Sequence, residues 1–400
     1  MLVTILNIVF IIIFAYLAIN VIYLFVVAVA GRFYSPNKYS VNPVKKKIAI
    51  LMPSYKEDHI VVNSARKARE HDYPQDRFDV FVAADQLKPE TIQQLRAIPV
   101  NVKEVKFELS SKARSLNALL NAIPESEYEI AIILDSDNII MPGCLEQVND
   151  AFQKGFRAVQ THRTAKNNNS TVAILDGMSE EINNHLFRRG QRALGFSSNT
   201  IGSGMAFEFK KLKEIYNKPG ILGNPACDRE VDFEIMKADI NIEFIEDAWV
   251  LDEKVANKAV YERQRTRWQE SQIIHLRLFF DKKQGTIHKT KEYWNKLFTN
   301  LIPSRLLFLF SFFLVFVLFL VQYLIKQSFI APSFWYWFTL FIIYLSVFFI
   351  SIPGKFYSIK TLKAVLHIPV LMFLMVRGTL KMKVSRKEFL HTPKSFTQES

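Results

Sequence analysis

"YEIAIILDSDN", residues 128–138, runs five apolar residues straight into a cluster of carboxylates. An apolar run this short, bounded by polar turn residues, reads as a strand buried on both faces. Two similar runs precede it, "KKIAILMPSY" at 46–55 and "FDVFVAADQ" at 78–86, and each also ends in polar or acidic residues. Between them lie helix-like stretches, "IVVNSARKAREH" and "SKARSLNALLNAI". The alternation predicts an α/β domain with a mostly parallel, Rossmann-like sheet whose ligands bind at the carboxyl ends of the strands. Pro53, Ser54, Asp85, Asp135 and Asp137 therefore become candidate site residues together.

Two aspartates at i and i+2, leaving a strand into a turn, offer hard oxygen ligands to Mg²⁺ or Mn²⁺, which keep open positions for substrate phosphates. Asp-Ser-Asp-Asn is also ordinary turn chemistry, so the pair is read with its neighbours. Lys112 and Asn117 stand just before the metal strand, and "IGSGMAFEF" at 201–209 supplies Gly202 and Gly204, where backbone can approach a ligand closely.

Half of the 400 residues are hydrophobic, and they are unevenly spread. Leu2 to Ala30 carries no formal charge, which exceeds the roughly 20 residues that cross a bilayer. Ala28-Val29-Ala30 resembles a signal-peptide cleavage site, but there is no basic segment ahead of the apolar run, so a retained membrane helix over 1–31 is expected. Leu306–Ile325 and Phe334–Ile352 form a helical hairpin in the region 303–353, while Ala364–Val376, with His367 and Pro369, reads as an interfacial helix. Lysines and arginines follow the first helix and crowd the end, whereas the hairpin loop has only Lys326. This places the intervening domain and the carboxyl tail in the cytoplasm of a multi-pass cell (plasma or inner) membrane protein. A net charge of +13 suits anionic headgroups rather than nucleic acid, given three membrane segments. Cys144 and Cys227 are too few for a disulfide framework.

Downstream, "REVDFEIMKADINIEF" sets Asp232 at a helix start, and "YERQRTRWQES" at 261–271 packs Gln264, Arg265, Arg267 and Trp268 together. The ordered set Asp85, Asp135-x-Asp137, Asp232 and Gln264-Arg265-x-Arg267-Trp268 resembles the D, DxD, D, QxxRW pattern of membrane-embedded family 2 glycosyltransferases, which include cellulose, hyaluronan and poly-N-acetylglucosamine synthases. The resemblance implies a GT-A catalytic domain over 45–255, interfacial helices over 256–300 and a basic tail over 360–400. It implies an inverting transfer of a hexose or N-acetylhexosamine from a nucleoside-diphosphate sugar, as UDP-sugar, to a glycan acceptor in exopolysaccharide or cell-envelope synthesis. By the same resemblance Asp85 holds the nucleoside, Asp135 and Asp137 the metal and diphosphate, and Lys112 the pyrophosphate. Asp232 is then the base, although Val231 replaces the acid that precedes it in the family.

Chemistry supports these roles. Arginines form bidentate contacts to a leaving diphosphate, which puts Gln264, Arg265 and Arg267 on the donor side with Pro53 and Ser54. Trp268 offers a flat face to an acceptor sugar, beside Gly202 and Gly204. Glu246-Asp247 is a competing location for the base, and "EEINNHLFRRGQRALGFSSN" at 180–199 is a candidate acceptor-side helix. Glu262, Arg263, Gln269 and Glu270 are expected on the helix surface. "EFLHTPKS" at 388–395 resembles a gating loop of the cellulose synthases through Phe389, Thr392 and Lys394. Three spans make a thin wall for a polymer channel, so single transfer to a lipid acceptor, or a second subunit completing a channel, stays open beside processive synthesis. A nucleotide-sugar receptor without turnover would have lost its base or metal ligands, and a transporter would carry polar groups at the bilayer midplane.

Overall fold

The computed structural model describes residues 1–218, 220–223, 227–284 and 287–383. A long helix, α1 (Leu2–Arg32), leads into an eight-stranded sheet. Its strands are β1 (Ile48–Tyr55), β2 (Phe78–Asp85), β3 (Asn101–Val105), β4 (Ile130–Ile133), β5 (Ile139–Ile140), β6 (Ala158–Ala165), β7 (Met205–Glu208) and β8 (Ile242–Asp252), in the order β3-β2-β1-β4-β7-β6-β8-β5. β1 pairs in parallel with β2 and β4, β2 with β3, and β6 with β8. β7 runs antiparallel to β4 and β6, and β5 to β8. The parallel half is the strand-helix alternation read from the sequence; the antiparallel insertion of β7 carries the 201–204 turn back to the end of β4.

The crossover helices cover both faces. α2 (Val61–Arg69), α3 (Pro89–Arg96) and α5 (Cys144–Gln153) pack on one side, around Ile50, Val80, Leu95, Ile132 and Val148. On the other lie α4 (Lys112–Ala122), α8 (Phe209–Tyr216) and α9 (Cys227–Lys237), around Leu51, Leu116, Ile133, Phe207 and Val231. α2 shows why these segments are helical: Val61, Ala65 and Ala68 fall on one buried face while Arg66 is exposed, and Arg69 at the last turn lays its guanidinium over the Phe78 ring at 4.7 Å. α4 starts where the Ser111 hydroxyl accepts the Arg114 N–H at 3.2 Å.

A second assembly of helices lies beside the sheet. α6 (Thr171–Asn184) continues through a π-helical stretch, His185–Gly190, into α7 (Gln191–Ala193). This segment, expected on the acceptor side, docks α1: His185 Nε2 meets the Ala28 carbonyl at 2.8 Å, and a Cβ on Gly190 would lie 2.3 Å from the Val27 carbonyl oxygen. Then come α10 (Lys258–Leu278), α11 (Lys291–Leu301), α12 (Arg305–Ile325), α13 (Phe334–Ser351), α14 (Ile359–Val365) and α15 (Ile368–Leu380). α1, α12 and α13 are long and apolar enough to cross a membrane, and α14 with α15 form a pair bent by 44° that passes the same test together.

Of the residues flanking the QRTRW stretch, Arg263 is exposed on the helix surface as expected, whereas the other three are not. Glu262, Gln269 and Glu270 are buried. Glu262 pairs with Arg377 of α15 and with Lys381 just past its end, Gln269 donates to Thr379 Oγ1 at 2.9 Å, and Glu270 accepts the Lys383 N–H at 2.7 Å. The α10 face bearing them is a docking surface for α15, which local sequence cannot reveal because the partner is more than a hundred residues away.

Candidate active site

The parallel register brings the ends of β1 and β2 level, Ser54 beside Ala84 and Tyr55 beside Asp85. Asp85 is fully buried, and neither carboxylate oxygen has a hydrogen-bond partner; the buried Ser54 hydroxyl is likewise unpartnered. Burial raises the Asp85 pKa, with the Ser110 hydroxyl and Lys56 offsetting part of the effect. Orphaned polar atoms at a sheet edge mark a place where a polar ligand completes the bonding. Pro53 precedes them on β1 and is half-buried.

At the end of β4 the turn Asp135–Asn138 is braced from β7 and β8. The Asp135 N–H donates to Ser203 Oγ at 2.9 Å, Ser203 donates to Asn138 Oδ1, and Asn138 Nδ2 donates to Asp252 Oδ1 at 3.0 Å. Asp137 is buried, and its carboxylate accepts the Glu253 N–H at 3.1 Å. Asp135 keeps about a third of its side chain exposed at 32% and pairs with Lys112, which also donates to the Gly202 carbonyl at 2.6 Å. Burial opposes the Lys112 charge, but Asp135, Cys227 and Asp228 outweigh it and its pKa lies above the usual lysine value.

The two glycines serve the scaffold. Gly202 has φ +84°, and a Cβ there would sit 3.2 Å from Asp228 Oδ2; Gly204 has φ +63°, and its Cβ would strike Thr161 Oγ1 at 2.3 Å. Both positions need glycine so that the β7 turn can press against the chain's own sheet and α9.

The two aspartates of α9 part company. Asp232 is buried, and its carboxylate meets Lys296 Nζ at 2.9 Å for Oδ2 and 3.0 Å for Oδ1. Lys296 also donates to the Ser198 carbonyl and to Asn199 Oδ1, so Asp232 belongs to a contact between α9 and α11. Asp228, at the start of α9, is half-buried beside Gly202 and acts electrostatically on Lys112 and Arg267. The carboxylate that faces the Asp135–Lys112 end of the sheet is therefore Asp228. The sequence signal was available, an acid in the first turn of a helix just after a glycine and proline break. Glu246 of β8 is paired with Arg189, away from this edge.

α10 sorts the residues of the QRTRW stretch by helical phase. Burial lowers the Arg267 pKa, and Asp228 and Asp135 act against that shift, so this guanidinium lies within electrostatic reach of both carboxylates. Arg265 points elsewhere: it pairs with the buried Asp176 of α6 and stacks over Tyr261 at 4.6 Å and Trp268 at 4.1 Å. One face of the Trp268 ring is thus occupied by an arginine, although 37% of the residue stays exposed. Gln264 is buried with Oε1 unpartnered.

A divalent cation fits these donors. Asp135 and Asp137 are hard oxygen ligands, and the Asp135 carboxylate is paired with the Lys112 ammonium. Among the described residues no group of three or more His, Cys, Asp or Glu forms a metal cage, and two carboxylates plus substrate phosphates are what Mg²⁺ and Mn²⁺ commonly use. Phe389, Thr392 and Lys394 lie outside the described residues.

Residues 45–271, more than half of the chain, match the family model described as "Glycosyltransferase like family 2". No curated protein matches in sequence. Among solved structures the chain is similar to the mannosyltransferase PcManGT from Pyrobaculum calidifontis, in complex with GDP-mannose and Mn²⁺, at TM-score 0.60 and 14% identity over 92% of this chain and 97% of that one. It is also similar to residues 1–349 of TarS from S. aureus, at TM-score 0.43 and 13% identity over 83% of this chain and 89% of that one. The sheet order, the carboxylate-bearing strand ends and the family match agree on a GT-A-like fold, and the chain belongs to the glycosyltransferase like family 2.

Proposed function

We propose that the protein transfers a hexose or N-acetylhexosamine from a nucleoside-diphosphate sugar to an acceptor at the cytoplasmic face of a cell membrane, with inversion at the anomeric carbon. The observation that carries this reading is the convergence of Asp85, Asp135, Asp137, Lys112, Asp228 and Arg267 on the carboxyl ends of the parallel strands. Asp85, with Ser54 and Pro53, holds the nucleoside through polar atoms that lack partners in the free protein. Asp135 and Asp137 would hold Mg²⁺ or Mn²⁺, which supplies positive charge to the diphosphate when bound. Lys112 and Arg267 neutralise the diphosphate as it departs, and Gln264 offers its amide from the α10 side. Asp228, rather than Asp232, takes the proton from the attacking acceptor hydroxyl. Arg265 contributes by fixing α10 against α6 and holding Trp268 in place, where the indole's free surface meets the acceptor.

Polysaccharide synthesis at the cell envelope and single transfer to a lipid acceptor share this chemistry. The three candidate spans lean toward an acceptor met at the membrane, with a second subunit required if a polymer channel exists. The donor panel includes GDP-sugars beside UDP-sugars, because the PcManGT structure holds GDP-mannose. Purified protein incubated with labelled UDP- and GDP-sugars, Mg²⁺ or Mn²⁺ and membrane lipids is expected to form a sugar-bearing product. Long product means processive synthesis, a single-sugar lipid means the alternative, and tight donor binding without any transfer would mean a receptor.

A further inference from the structure

We propose that the groove between α1 and α11 is a binding site for one anionic phospholipid of the surrounding bilayer. The proposal rests on α1 being a membrane span. The groove has a volume of about 600 Å³, within the usual range for ligand sites. Its walls are apolar, made by Ile19 and Ile22 of α1, Phe196, and Phe298 of α11.

Its polarity along the membrane normal is set by how the helices run. Tyr23 OH donates to Asn295 Oδ1 at 2.8 Å and its ring packs on Phe298 at 4.8 Å, while Tyr16 OH donates to the Leu301 carbonyl at 2.6 Å. Moving toward the amino end of α1 therefore moves toward the carboxyl end of α11, so the helices are antiparallel. At 1.5 Å per residue, Ile22 and Ile19 lie roughly 15 and 20 Å from Arg32, inside the leaflet next to the catalytic domain. Phe298 faces that depth. Lys291, two turns earlier on the same stripe, lies at the headgroup end, and Trp294 between them is exposed.

Lys291 gives the site its preference for an anion, and Asn295 lies buried one turn further along α11. Asn295 is 5% exposed, and its Nδ2 has no partner; because a tyrosine hydroxyl both donates and accepts, turning the amide around would orphan its oxygen instead. Lys291 donates to the Gly195 carbonyl at 3.0 Å, which leaves further ammonium protons for a phosphate. A headgroup phosphate at Lys291, with an acyl chain along Ile22, Ile19 and Phe298, pairs with the ammonium and covers the apolar wall. None of these residues belongs to the transfer site.

The test uses the full chain in nanodiscs doped with photoactivatable phosphatidylglycerol or phosphatidylcholine, with crosslinks mapped by mass spectrometry. Phosphatidylglycerol is expected to label residues 291–298 in preference to phosphatidylcholine by about fivefold, a preference that Lys291→Glu abolishes and Lys291→Arg keeps. An excess of inorganic phosphate is expected not to compete, since it lacks the chain. Labelling of α1 by both lipids with no preference on α11 overturns the site alone. Displacement by inorganic phosphate overturns the lipid as ligand. Absence of any label on α1 overturns the membrane span and the site with it.

Discussion

Lys296 Nζ lies 2.9 Å from Asp232 Oδ2, with both side chains buried between α9 and α11. One turn earlier on α9, about 6 Å along the axis, Asp228 stands beside Gly202, Lys112 and Arg267. Asp228→Asn is therefore expected to lower transfer by about 10²–10⁴-fold while donor affinity stays near normal. Asp232→Asn leaves a buried ammonium short of its counter-charge and is expected to lower thermal stability, with the double variant Asp232→Asn/Lys296→Met recovering part of it. Donor binding by calorimetry, transfer rate and melting temperature for each variant separate the two roles. Loss of turnover in a stably folded Asp232→Asn, with Asp228→Asn active, would return the base to Asp232.

Asp85 makes the free protein less stable than it could be. Its carboxyl pKa is raised by burial, so the ionised form costs stability at neutral pH, and the cost is relieved as pH falls through the folded-state pKa. Asp85→Asn is expected to stabilise the ligand-free protein by about 1–3 kcal/mol and to weaken donor binding. Thermal unfolding with and without a nucleoside diphosphate reads both effects; a destabilised variant would mean that the carboxylate already has its partner.

Arg265 and Arg267 are two positions apart and should fail differently. Arg265→Ala strands Asp176 inside the protein, at a cost of about 3–5 kcal/mol. Arg267→Ala removes one phosphate contact, raising donor KM and lowering kcat by about tenfold with little change in melting temperature. Equal losses of stability in both variants would contradict the division.

Acid sensitivity follows from two buried histidines. Burial lowers His185 to about 4, with the Ala28 carbonyl opposing that shift and Arg189 and Arg32 adding to it; His275 is lowered to about 4 chiefly by burial. The unfolded chain binds protons as pH falls through 6.5, whereas the folded protein does not until about 4. The stability they contribute is therefore complete above 6.5 and is lost progressively between 6.5 and 4. His185→Gln, which keeps a donor for Ala28, is expected to flatten this slope in melting curves recorded across that range.

The rhythm of the catalytic domain was legible along the chain, because short apolar runs that end in polar or acidic residues and alternate with helix-like stretches fit the buried strands of a parallel sheet. The strand-end positions of Asp85, Asp135 and Asp137 were legible this way, and the helices long and apolar enough to cross a membrane were legible from length and absence of charge. What tertiary structure alone decided is which of several chemically equal residues meet. Asp228 and Asp232 lie on the same helix, and only the docking of α11 puts Lys296 on one of them. Arg265 and Arg267 differ by two positions in helical phase, and α6 supplies the Asp176 that captures Arg265. Gly202 and Gly204 read as ligand-facing, and packing brings Asp228 of α9 against the first and Thr161 of β6 against the second. Helix phase and strand ends are local, set by residue spacing, whereas a partner is fixed by packing between segments tens to hundreds of residues apart.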